Sequence, residues 1–241
     1  MRTDELIARL SDISRTNPAE FERLRAGLPL GLDSFEGVAV AHRENKVERY
    51  HHTCVTGAHK TEFIKRLVLT LACLHEKGEA AFLILSPHTT YGELMNLKTA
   101  DITVPFIRDG EDLKQALDCL QELARGRVSG KRAQKFFVVL DGIELLSEGD
   151  TALISYRPFL DTVGTSGIEI VSGVDLENTA FGGYPGGFVG IGNCLVTTSG
   201  EGKADLTYVN PDTLMSLPKT IVYPSEPTVA ESIQFFNGIE E

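Results

Sequence analysis

Residues 50–74 read YHHTCVTGAHKTEFIKRLVLTLACL, and the way this stretch folds decides the architecture of the chain. Apolar residues recur at Phe63, Ile64, Leu67, Val68, Leu71 and Leu74. Steps of three and four lay one apolar stripe along a helix. The spacing predicts a short strand, a tight turn at Thr56-Gly57-Ala58, and a helix that opens on Lys60-Thr61. A lysine and a threonine in the first turn of a helix that follows a strand is the layout of a phosphate-binding loop. In such a loop, backbone N–H groups and the positive end of the helix dipole face an anion. The lysine ammonium reaches the outer phosphates, and the threonine hydroxyl holds Mg²⁺.

The full pattern G-x-x-x-x-G-K-[ST] places glycine at positions 54 and 59, where this chain has Cys54 and His59. Glycine suits those positions because the backbone must curl tightly, often through φ > 0, which strains other residues. Two readings therefore stand. In one, Thr56, Gly57, Ala58, His59, Lys60 and Thr61 bind the phosphates of a nucleotide. In the other, they form an ordinary strand-turn-helix with a solvated Lys60. His59 divides in the same way: protonated, it bonds a phosphate; neutral, it caps the turn and obstructs the pocket.

Phe136 to Asp141, FFVVLD, is the second informative stretch. An apolar strand ending in aspartate is how phosphate-loop ATPases place the carboxylate that holds Mg²⁺ through water. Paired with Lys60-Thr61 roughly eighty residues upstream, it favours the phosphate-loop fold. Lys60 and Asp141 are then expected at neighbouring strand tips around one hollow, with ATP and Mg²⁺ as cofactors and Thr61 and Asp141 as the metal-holding pair. Hydrolysing families commonly carry a glutamate after the aspartate, and here that position is Gly142. Glu144 substitutes for it only if the backbone swings that side chain back.

The remaining elements alternate. Ala80 to Leu85 (AAFLIL) suits a strand covered on both faces, and Ile102 to Ile107 a further strand. Gly110 opens a helix carrying Leu113, Ala116, Leu117, Leu120 and Leu123. Residues 125–135 (RGRVSGKRAQK) gather five basic residues without aromatics and read as a solvated helix-to-strand loop. Beyond Asp141, residues 152–163 read as a helix and 167–173 as a strand, while 182–192 (GGYPGGFVGIG) must be loop. Leu195–Thr198 and Leu206–Val209 form a hairpin, and Ala230–Phe236 a closing helix. The expected fold class is α/β, a mostly parallel central sheet flanked by helices on both faces. Residues 1–27 read as a helical appendage, with the break at Asn17-Pro18, and residues 28–241 as the ATPase-like domain.

At 241 residues with 42% hydrophobic content, one substantial domain is expected rather than two. A net charge of −11 disfavours gripping DNA by counterion release and argues for protein partners or self-assembly. Four scattered cysteines without a C-x-x-C pair indicate reduced thiols of a cytoplasmic protein. The charged N-terminus is unlike a signal sequence, and no apolar run approaches the ~20 residues of a bilayer span, so direct membrane insertion is not expected.

Taken together, these pieces resemble the FtsK/SpoIIIE branch of RecA-like P-loop ATPases, from about Leu28 to the C-terminus. LPLGLDSFEGVAVA resembles that family's lead-in strands, and TGAHKTEF stands where members show TTGSGKS. FLILSPH is similar to a strand ending in Asp-Pro-Lys, and GEDLKQALDCLQELARGR to the helix before the second motif. FFVVLDGIELL stands where the family has an apolar strand ending in Asp-Glu, SGIEIVSG where a strand ends near Thr-Gln, and FVGIGNCLV resembles a late glycine-rich turn.

Against that pattern the loop glycines are Cys54 and His59, the catalytic glutamate is Gly142, and the strand-end glutamine gives way to Ser172-Gly173. The family includes DNA translocases and the multi-domain motors of type VII secretion, some of whose modules have degenerate loops. The resemblance implies a degenerate module of a translocation or secretion machine that docks or regulates, with nucleotide binding weak or lost and hydrolysis impaired. The alternative is an active ATP-dependent DNA or protein translocase in which Glu144 or a neighbouring subunit provides the missing groups; for an arginine finger, Arg108 and Arg157 are candidates by position only, and nothing identifies either. A third reading, other chemistry at His51, His52 or His59, lacks a carboxylate or nucleophile at diagnostic spacing.

Overall fold

The structure, a computed structural model, describes residues 2–32, 38–41, 52–129, 134–142, 166–175, 194–200, 202–208 and 218–238. Helices α1 (Thr3–Thr16) and α2 (Pro18–Ala26) meet at Asn17, whose side-chain oxygen accepts the Glu20 N–H. Pro18 fills a first-turn position, where its missing N–H leaves nothing unsatisfied. Strands β1 (Leu28–Leu32) and β2 (Val38–Ala41), expected as lead-in strands, pair antiparallel.

Next come β3 (His52–Gly57), α3 (Lys60–Leu74), β4 (Ala80–Leu85), a 3-10 turn over Thr89–Asn96 and β5 (Asp101–Thr103). They are followed by α4 (Gly110–Ser129), β6 (Lys135–Asp141) and β7 (Ile168–Gly173). The hairpin β8 (Cys194–Gly200) and β9 (Lys203–Tyr208), then β10 (Lys219–Val222) and α5 (Val229–Gly238), complete the described elements.

Among the described residues, ten strands join one sheet in the order β2-β1-β10-β9-β8-β3-β7-β6-β4-β5. The six from β8 to β5 run parallel, and the chain's first and last strands extend the sheet antiparallel beyond β8. Parallel strands need crossovers, which is why helices cover both faces. Alternate residues of β6 divide between the two layers. Phe137 and Val139 face the core made by α3, α5 and the 3-10 turn, whereas Val138 and Leu140 face Leu113, Leu117, Leu120 and Ala124 of α4. Phe82 of β4 stacks on Phe137 with ring centres 5.0 Å apart.

The central helix is more deeply enclosed than its apolar stripe implies. Lys65 and Arg66 of α3 are buried together with the hydrophobic residues. Lys65 is held by Glu93 at 2.6 Å, and Arg66 by Glu62 at 2.9 Å and by the Ser232 hydroxyl of α5 at 3.2 Å. The helical pair α1–α2 packs through Leu6, Leu10 and Leu24 onto Leu74, at the C-terminal end of α3.

Two expectations are corrected. The strand expected over Ile102–Ile107 is only Asp101–Thr103 plus one bridge, Ser86 to Phe106, because Pro105 has no N–H to donate to a ladder. The basic stretch after Arg125 is not all loop: α4 continues to Ser129, and Arg127 donates to the Gln134 carbonyl at 2.5 Å. The helix expected over residues 152–163 and the glycine-rich segment 182–192 lie outside the described residues. Among the described residues, no helix is long and apolar enough to cross a membrane.

Candidate functional site

The C-terminal ends of β3, β7 and β6 form the candidate site. The sequence places Lys60 and Asp141 at neighbouring strand tips, but the strands leading to them, β3 and β6, are separated in the sheet by β7. What lets the two motifs meet is the end of that intervening strand. Gly173 pairs with Asp141 on one side and Val55 on the other, and it has no side chain to separate α3 from β6. A Cβ placed there would lie 2.1 Å from Asp141 Oδ1 and 2.8 Å from Ile64 Cδ1. Across that gap the Thr61 hydroxyl donates to Asp141 Oδ2 at 2.7 Å.

Tyr91, which the sequence reading did not single out, also donates its hydroxyl to Asp141 Oδ2, at 2.8 Å. It comes from the 3-10 turn after β4 and is wholly buried. Burial first, then the Asp141 charge, pushes the Tyr91 phenol well above its ordinary pKa, so it stays a donor. Asp141 is itself fully buried, and its Oδ1 has no hydrogen-bond partner among the described residues. Thr61 and Asp141, the pair expected from sequence to hold Mg²⁺, are thus brought together, with Thr61 as donor and Asp141 as acceptor. Both hydroxyls occupy Oδ2, and Oδ1 is walled in against Gly173.

The loop residues fall out as follows. Cys54 is buried inside β3, so the first glycine position of the motif lies in a strand and not in a curl. The β3–β8 ladder runs on through Val55, Thr56 and Gly57, opposite Val196, Thr197 and Thr198. Only Ala58 and His59, both exposed, separate the strand from α3, and Lys60 opens the helix half-buried. The left-handed conformation sits at Gly57, with φ +101°, whereas His59 has φ −116° and carries no such strain. Strain at Cys54 and His59, expected from the motif, is therefore absent because the turn is made elsewhere.

Thr198, another residue with no sequence signal beyond its place at a strand end, fastens this arrangement. Its hydroxyl donates to the Thr56 carbonyl at 2.9 Å and accepts the His59 N–H at 3.3 Å. The His59 ring makes no capping bond and lies instead beside Gly200, where a Cβ would stand 3.1 Å from Nε2. Over Gly142 lies the ring of His88, 2.6 Å from the point a Cβ would take. Glu144, Arg157 and His51 fall outside the described residues, and Arg108 is paired with Asp112 at 2.8 Å on the surface.

His52 is no accessible base. It is 2% exposed, its Nε2 lies 2.8 Å from the Ser172 hydroxyl, and burial pushes its pKa down to about 4. In the unfolded chain the ring takes up a proton near pH ~6.5, whereas the folded chain resists until about pH 4. The unfolded state binds more protons in that window, so stability falls as the pH is lowered from ~6.5 to about 4. His52→Gln is expected to flatten this part of a urea-midpoint profile by about 2–3 kcal/mol. An unchanged profile would mean that His52 does not carry it.

No family model matches the sequence, and no curated protein matches it. Solved structures do match. The chain is similar to ATPases 2 and 3 of Thermomonospora curvata EccC in complex with a signal sequence peptide, with TM-score 0.61 and 11% identity over 84% of this chain and 41% of that one. It is similar to the cytoplasmic domain of the same organism's type VII secretion ATPase EccC, with TM-score 0.62 and 11% identity over 84% of this chain and 26% of that one. For ATPases 2 and 3 of Geobacillus thermodenitrificans EssC the TM-score is 0.55, with 13% identity over 89% of this chain and 49% of that one. The chain thus spans less than half the length of each. At these identities the likeness shows the fold alone, a mostly parallel sheet flanked by helices that the chain shares with these ATPase domains.

Proposed function

We infer that this chain is a RecA-like module of a translocation or secretion machine that docks or regulates, with nucleotide binding weak or lost and hydrolysis impaired. One observation carries the reading: β3 stays zipped to β8 through Gly57, with the His59 N–H turned onto Thr198. A phosphate loop works by leaving consecutive backbone N–H groups unpaired around an anion, and here the same stretch is extended and laddered. The buried Asp141, with both hydroxyls on one oxygen, supports the same reading for Mg²⁺. Gly142 places no carboxylate where attacking water would be oriented. Loss of such a group removes positioning and electrostatic stabilisation together.

The likeness to secretion ATPase domains supports a protein-handling machine, and the acidic net charge supports protein partners over DNA. Residues 28–241 form the ATPase-like domain in this proposal, with residues 1–27 appended to it. The contact between Thr61 and Asp141 favours a second reading, an active translocase whose loop opens on binding ATP. Calorimetric titration with Mg·ATP separates them. The expected result is no saturable heat at pH 6 or pH 8 and no change on Lys60→Ala. Saturable heat together with an ATPase activity that Lys60→Ala abolishes would establish the second reading.

A further inference from the structure

In a loop that grips an anion, the amides of the turn and of the first helical residues face the ligand. The His59 N–H is one of these, at the residue before α3. Here it donates instead to the Thr198 hydroxyl at 3.3 Å, and that hydroxyl donates in turn to the Thr56 carbonyl at 2.9 Å. One N–H aimed at Thr198 is not aimed at a phosphate. The Thr198 side chain therefore competes for an amide that an anion would use.

The competing group is firmly anchored. Thr198 is buried in β8, and its main chain is paired with Gly57. The turn that follows it is braced on α3 from the other side. There the Gly202 carbonyl accepts the Tyr223 N–H at 2.8 Å, and the Tyr223 ring meets Phe63 edge-on with centroids 4.8 Å apart. The His59 ring adds a second contact to the same hairpin, beside Gly200.

The other half of the contact is light. Ala58 and His59 are exposed, so this two-residue turn can lift from β8 without disturbing the buried parts of β3 and α3. Beyond the main-chain ladder, what holds it down is one hydroxyl with two hydrogen bonds and one ring, each a modest net contribution. A balance of that size is one that a ligand or a single substitution can shift.

We propose that Thr198 and His59 form an autoinhibitory clasp. Closed, the hairpin end occupies the His59 amide; open, the turn offers that amide, together with Lys60, to the phosphates of a nucleotide. The clasp rests on the reading of residues 56–61 as a closed loop and adds a cause for it, which lies in β8 as well as in the loop. Opening restores binding and not turnover, because Gly142 still supplies no carboxylate to orient water.

The test titrates the full chain with Mg·ATP by calorimetry and follows the His59 amide by hydrogen exchange. Thr198→Val removes the hydroxyl at nearly constant shape and leaves the His59 N–H unpaired in the closed form. It is expected to speed exchange at His59 and to tighten Mg·ATP binding by about tenfold or more. His59→Gly takes the ring off Gly200 at an exposed position and should tighten binding as well, so the idea stays testable if Thr198→Val proves unstable. Thr198→Ser keeps the hydroxyl and should match the unaltered chain, a rescue that a role in packing alone would not give. Lys60→Ala in the Thr198→Val background should abolish the gained binding. If the unaltered chain, Thr198→Val and His59→Gly all fail to bind Mg·ATP, the clasp is overturned while the closed reading stands. Saturable binding by the unaltered chain that Thr198→Val leaves unchanged overturns both.

Discussion

Gly173→Ala is expected to destabilise the chain by about 3 kcal/mol or more in urea unfolding, although it adds a single methyl group. The added carbon would come within 2.1 Å of Asp141 Oδ1 and 2.8 Å of Ile64 Cδ1. No backbone strain contributes, because Gly173 is not in the left-handed region. Asp141 cannot retreat, since it is fully buried and both Thr61 and Tyr91 hold its other oxygen. Shortening the opposing side chain should therefore relieve part of the loss. Asp141→Gly combined with Gly173→Ala is expected to be less destabilised than the two single effects summed. A loss below about 1 kcal/mol in the single variant would mean that the three strand ends are not closed against one another as described.

Gly57→Ala is the second large effect, and its cause is different. Gly57 has φ +101°, and a Cβ there would lie 2.3 Å from the main-chain oxygen of Thr198 and 2.7 Å from its hydroxyl. Conformational strain and a clash with backbone act together, so a loss of about 3 kcal/mol or more is expected. Because the nearest contact is a main-chain atom, Thr198→Ala should not rescue it. Rescue by Thr198→Ala, or an unaffected urea midpoint, would place the turn away from β8.

The sequence was most legible where a residue's chemistry and its spacing agreed. The stripe from Phe63 to Leu74 marked α3, the run from Phe136 to Asp141 marked β6, and the Leu195–Thr198 and Leu206–Val209 pair marked the hairpin. Departures from glycine at positions 54 and 59 were visible too, but their physical meaning was not. Strain at those residues was the natural expectation, whereas the chain avoids it by carrying β3 on to Gly57 and turning there.

Tyr91, Thr198 and His88 escaped notice because each acts across the fold. Tyr91 lies 50 residues from Asp141, and Thr198 lies 142 from Thr56, with no local pattern to pair them. The insertion of β7 between β3 and β6 could have been weighed from the strand at Ile168–Gly173, but strand order is a property of the whole sheet.

The account turns on whether residues 54–61 form a laddered strand end or a loop waiting for phosphate. Amide hydrogen exchange across these residues, measured with and without Mg·ATP, addresses that directly. The predicted result is protection at the β3–β8 ladder through Gly57 and at the His59 N–H in the free protein, with no change when Mg·ATP is added. Rapid exchange at these amides in the free protein, followed by protection on adding Mg·ATP, would contradict it.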